Sequence, residues 1–279
     1  MFGVIDLGSP AGLHGVQAKE PAASGQGTPS ALQQSPQPAA SAGTATSPSA
    51  SPKAERTNGG DGLLVQSTNT AFLTEGAKKW LNELAKVSLQ PHELFSLDEW
   101  VKSTAEQTKL DKQQEDISHI AGLLYEAALR GGLSIGERHT HQDLPAYASP
   151  GFDVIYQENN RNLTLSNPYS FAMQIGAVTA DHTPPVVYFK GSPDGKWAPV
   201  NLEVAVEPVQ PDKVEMVDFT IGAGKAETLR REGRKGMLVL VKAKEGELTR
   251  VITKDYYAPL DAVVARGPTA EELKESGGQ

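Results

Sequence analysis

The sequence contains no cysteine, which excludes disulfides, thiolate catalysis and cysteine-type zinc sites. That absence does not place the protein inside a cell, since many secreted bacterial proteins also lack cysteine. Positive charge is scarce as well: 26 Lys and Arg stand against 34 Asp and Glu, a net charge of −8. A general nucleic-acid binder shows a basic face, so that partner class is excluded. The one basic cluster, Arg230, Arg231, Arg234 and Lys235, is interrupted by Glu232 and reads as a solvated turn. No apolar run approaches the roughly 18–20 residues that span a bilayer. The opening MFGVIDLGSPAGLHGV lacks the basic region and long apolar core of a signal peptide.

Large apolar residues are missing from Pro21 to Pro52, where Leu32 is the sole exception among Ala, Ser, Pro, Gln, Gly and Thr. Such a segment buries too little surface to offset the entropy of ordering, so residues 1–62 are expected to form a disordered linker. Roughly 215 residues remain for a sizeable core. A stalk of this kind suits a tether between an anchor and its payload. The expected location is therefore extracellular, wall- or membrane-associated, with any export segment upstream and membrane contact only through an anchor not visible here. The alternative is a cytoplasmic protein with a flexible tail.

Three helices are predicted. Thr74–Val87 places Ala77, Trp80, Leu81, Leu84 and Val87 at three- and four-residue spacings. Leu97–Gln107 follows Ser96, whose spacing to Glu99 makes a capping box. Ile117–Arg130 has a broad apolar face and stops at Gly131–Gly132, with Asp116 as candidate cap. After Tyr147 the pattern turns to strands: 153–157, 163–167, 171–178, 186–190, 202–208, 237–242 and 248–254.

The most informative stretch is Ile117–Tyr147, ISHIAGLLYEAALRGGLSIGERHTHQDLPAY, where a helix leads into Glu137, Arg138, His139 and His141. With Leu124-Tyr125, Gly132-Leu133, Pro145, Tyr147, Pro150-Gly151 and Asp153, this segment resembles the VanW family of bacterial cell-envelope proteins. The resemblance covers roughly residues 65–180 and includes PHELFSLDEW and NLTLSNPYSFAMQIGA. Residues 214–267 are similar to the glycine-rich extracellular β-module that often follows that domain. Where the family has Cys-Gln at a helix start, this chain has Ser118-His119, and Lys112–Asp116 replaces a glycine-rich run. The resemblance implies an envelope compartment and association with peptidoglycan; its departures imply that chemistry has been lost, as in a pseudoenzyme.

Three readings of the ionisable cluster stand. As a catalytic centre, Ser118 at a helix start would use His139 as base and Asp143 as its partner, though the glycine turn suited to an oxyanion hole is missing. As a metal site, His139 and His141 would project from one face of a strand, joined by His119 or Asp143. As a structural buttress, Glu137 and Arg138 alternate faces while His139 bonds a buried group near the helix start. The buttress is preferred, with Glu137, Arg138 and His141 as candidate binding residues. Tyr256 and Tyr257 are candidates for glycan contact.

The expected fold is α+β: helices on a mostly antiparallel sheet, then a small β-rich module. The boundaries are 63–212 for the VanW-like part, 213–268 for the β-module and 269–279 for a disordered tail. The expected function is a non-enzymatic envelope module contacting wall glycan or an envelope protein, with no cofactor. The alternative is a wall hydrolase or transferase using Ser118 and His139.

Overall fold

The computed structural model describes residues 64–67, 69, 71–180, 183–191, 197, 199–225 and 228–276. The expected linker, 1–62, lies outside the described residues. The fold is mixed α+β, with four helices and several antiparallel sheets among the described residues.

Strand β1 (Leu64–Gln66) precedes helix α1 (Glu75–Leu84), where Thr74 Oγ1 accepts the Ala77 N–H at 3.0 Å. Its buried face is Ala77, Trp80, Leu81 and Leu84, four of the five residues picked out by helical spacing. Strands β2 (Ser88–Leu89) and β3 (Leu94–Ser96) lead into α2 (Leu97–Thr108). There Ser96 Oγ accepts from the Glu99 N–H, and Lys109 ends the helix in the left-handed conformation, φ 61°.

Helix α3 (Gln114–Arg130) is buried on every side from Asp116 to Arg130, as a helix at the centre of a domain must be. It starts three residues before the predicted Ile117. Asp116 does not cap it; the Thr74 hydroxyl donates to Asp116, which ties the starts of α1 and α3 together. Burial also captures charge: Arg130 donates to Glu126 one turn earlier at 2.8 and 3.0 Å, with Glu126 fully buried. Gly132 ends the helix at φ 71° and β4 (Ser134–Ile135) follows.

Strands β5 (Thr164–Ser166), β6 (Met173–Val178) and β7 (Val186–Gly191) come next. They complete two antiparallel sheets, ordered β1-β7-β6-β2 and β3-β5-β4. Helix α3 packs against α1, β7 and β1. The predicted strand 153–157 is extended, buried as far as Tyr156, and forms no ladder, because its donors turn to single acceptors: Ile155 N–H to His139 O, Tyr156 N–H to Ser118 Oγ, and Gln157 N–H to Arg161 O in an isolated bridge.

The rest is β8 (Asn201–Val209), β9 (Lys213–Val217), β10 (Thr228–Arg231), β11 (Gly236–Glu245), β12 (Leu248–Tyr257), β13 (Ala262–Arg266) and α4 (Ala270–Ser276). β8 pairs along β11, which pairs with β12, so a strand from before residue 212 shares a sheet with two from beyond it. Val241 and Ala243 of β11 enter the same core as α3. Gly151, at φ 84°, lets β11 close in, since a Cβ there would stand 2.5 Å from Val241 Cγ2. The remaining sheet, β10-β13-β9, departs from the antiparallel expectation: β13 and β9 run parallel. In the segment expected to be a disordered tail, Arg266 holds Glu272 with two bonds of 2.8 and 2.9 Å at the start of α4.

Candidate functional site

The segment Glu137–His141 is extended but belongs to no strand, lying between Asp153–Ile155 and Thr164. Two of its side chains, Arg138 and His141, go inward, while Glu137 and His139 stay out. Arg138 points in and is 9% exposed; its guanidinium donates to both oxygens of Asp255 at 2.8 Å and to the Asp153 carbonyl. It also lies 4.4 Å from the centre of the Tyr125 ring, a cation–π contact. This pair joins the segment after α3 to β12 across 117 positions of sequence.

His141 makes the second inward connection. Its Nδ1 lies 2.7 Å from Asp153 Oδ1, and its backbone N–H donates to Asp153 Oδ2 at 2.8 Å. The Tyr257 hydroxyl reaches the same carboxylate at 3.3 Å. Asp153 is fully buried, so it receives three donors in place of water. Burial pushes the Tyr257 phenol well above the usual tyrosine range, and the nearby carboxylates of Asp153 and Asp255 push it further. Neighbouring Tyr256 points out to solvent and is 58% exposed.

Glu137 and His139 face outward, paired with each other at 2.9 Å. Asp143, the candidate partner of His139, is instead paired with Arg234. Ser118 is buried, and its Oγ accepts the Tyr156 N–H at 3.0 Å. The structure therefore does not assemble Ser118, His139 and Asp143. What lies beside Ser118 is His141: a shallow cleft of about 320 Å3 is lined by Ser118, His141, Tyr147, Pro145, Gln114 and Glu115. His141 Nε2 is 3.5 Å from the Tyr147 hydroxyl there. Asp153, part of the family resemblance but not one of the candidate site residues, is the carboxylate that orients this histidine. The signal was available: a lone Asp inside the apolar run FDVIY needs partners if the run is buried.

His119 stacks on Tyr147, ring centres 4.8 Å apart, and its Nε2 has no hydrogen-bond partner. Among the described residues no three His, Asp or Glu side chains are placed to hold a metal ion. His119, His139 and His141 are held by Tyr147, Glu137 and Asp153 respectively.

Burial lowers the His119 pKa to about 4 from the ordinary 6.5, against a smaller opposing pull from Asp116. Between those values the unfolded chain binds a proton that the folded chain refuses, so stability rises with pH across that window. The full linkage is on the order of 3 kcal/mol. His119→Phe keeps the stacking and removes the titration. Urea unfolding from pH 7 to pH 4 is expected to show the wild type losing stability relative to this variant.

No curated protein matches this chain. Several solved structures are similar to part of it, among them the following two. A structure described as an IgA1 protease G5 domain is 16% identical, covering 25% of this chain and 88% of that one, with a TM-score of 0.22. The HP0197-G5 crystal structure is 15% identical, covering 24% of this chain and 95% of that one, with a TM-score of 0.20. Residues 75–187, from the start of α1 into β7, match the family model described as VanW like protein, and this chain is VanW-like over that span.

Proposed function

We propose that the chain is a non-catalytic module of the bacterial cell envelope that binds wall glycan or an envelope protein. The observation that carries this is the state of Ser118. Its hydroxyl is buried and holds a backbone N–H, so it serves the fold rather than standing open to a substrate. Around it the charged groups are engaged in fastening: Arg138 to Asp255, and His141 and Tyr257 to Asp153. Residues 63–212 and 213–268 act as one piece in this reading, with Tyr256 available on the surface for glycan contact.

The test is sedimentation of the intact chain with purified wall material. Wild type, Ser118→Ala and His139→Ala are expected to sediment alike, and a wild-type chain that stays in the supernatant sinks the reading. Ser118→Ala should still lower unfolding stability by about 1–2 kcal/mol, because the Tyr156 N–H is left buried without an acceptor.

One observation favours a second reading, a hydrolase or transferase of wall polymer. Ser118 and His141 line one cleft beside the start of α3, and the buried Asp153 is bonded to His141 from behind, the three residue types that acyl transfer uses. In this reading His141 replaces His139 as the base, and Tyr147 stands between base and nucleophile.

A further inference from the structure

The side chain of Tyr147 touches three neighbours at the cleft beside Ser118. Its ring stacks on His119, 4.8 Å between centres, and meets His141 edge-on at 6.2 Å. Its hydroxyl is hydrogen-bonded with Ser118 and stands 3.5 Å from His141 Nε2. The backbone that carries it is fixed separately. The Tyr147 carbonyl accepts from Asn69 Nδ2 at 2.9 Å, and the Ala148 N–H donates to the Pro145 carbonyl. Ser118 lines this cleft and yet is 1% exposed, and the His119 ring against the phenol is buried too.

The phenol also interrupts a proton path. Asp153 only accepts, so the neutral His141 ring carries its proton on Nδ1, 2.7 Å from Oδ1, and leaves a lone pair on Nε2. Ser118 Oγ accepts the Tyr156 N–H and keeps its own proton to donate. The Tyr147 hydroxyl stands between that proton and the Nε2 lone pair.

We propose that Tyr147 is an autoinhibitory plug: its ring closes the Ser118–His141 cleft, and displacing it opens a serine with a base beside it to acyl substrates. This rests on the second reading above, Ser118 served by His141, and adds what holds that pair shut. The free chain is then inert, as the first reading also has it.

Two reagents applied to the intact chain test it, one for access and one for reactivity. With diethyl pyrocarbonate, His119 is expected to stay unmodified in the wild type and in Tyr147→Phe, which keeps the ring. In Tyr147→Ala it should react about as fast as the partly exposed His139. With an alkyl fluorophosphonate, Ser118 Oγ attacks phosphorus, the P–F bond breaks, fluoride leaves, and the serine proton passes to His141 Nε2. Tyr147→Ala should take this label at Ser118, the wild type and Tyr147→Phe should not, and adding Ser118→Ala should abolish it. Adding His141→Gln to Tyr147→Ala should slow labelling about a hundredfold or more. Tyr147→Leu, which also lacks the ring, repeats the test if the alanine variant does not keep the wild-type circular dichroism.

Equal modification of His119 in wild type and Tyr147→Ala, or labelling of Tyr147→Phe as fast as Tyr147→Ala, overturns the plug. Wild type that takes the label at Ser118 overturns this inference alone and leaves the second reading standing. A folded variant that opens His119 but leaves Ser118 unlabelled overturns the second reading together with the inference.

Discussion

Replacing Arg138 with alanine is expected to destabilise the protein by about 3–5 kcal/mol in urea unfolding. The magnitude comes from what remains. Asp255 is 6% exposed and would keep its charge with neither water nor guanidinium to meet it. The Asp153 carbonyl would lose its guanidinium donors, and the Tyr125 ring its cation. The cost belongs to breaking the pair rather than to the worth of the pair. Arg138→Met combined with Asp255→Leu should therefore recover most of the loss, because neither charge then needs a partner. A loss below about 1 kcal/mol in Arg138→Ala would mean that β12 is held by apolar packing alone.

Asp153→Ala is expected to cost a similar amount, about 3–4 kcal/mol, by leaving three buried donors unmet. These are the His141 backbone N–H, its imidazole and the Tyr257 hydroxyl. Asp153→Asn keeps an acceptor but presents an NH2 group to one of those donors, so a loss of about half that size is expected. Tyr257→Phe removes the weakest of the three contacts, at 3.3 Å, and should cost about 1 kcal/mol or less. The series Ala, Asn and Phe, read by urea midpoint at constant slope, checks that the carboxylate acts as a structural hub.

Three of the helices were legible, α1 by its apolar spacing, α2 by its capping box and α3 by both, whereas α4 was not. Ser96 with Glu99, and Gly131–Gly132, stand where the caps predict. The start of α3 was misplaced because Asp116 looks like a cap in sequence, whereas its carboxylate is taken by Thr74 from another helix. The resemblance drawn from ERHTH and its surroundings, roughly 65–180, agrees with the family match over 75–187. What sequence could not supply was the pairing of charges over long separations. His141 with Asp153 spans 12 positions, but Arg138 with Asp255 spans 117. Local spacing favoured His139 with Asp143; the fold turned both outward to other partners.

In the proposed function the charged groups between Ile117 and Tyr147 fasten a fold rather than perform a reaction. The most direct measurement is the release of soluble fragments from purified wall material by the intact chain, with Ser118→Ala alongside. The expected result is no release above a heat-inactivated sample for either protein, while both still sediment with the wall. Release by the wild type that Ser118→Ala abolishes would contradict the account and assign the cleft of Ser118, His141 and Asp153 to catalysis.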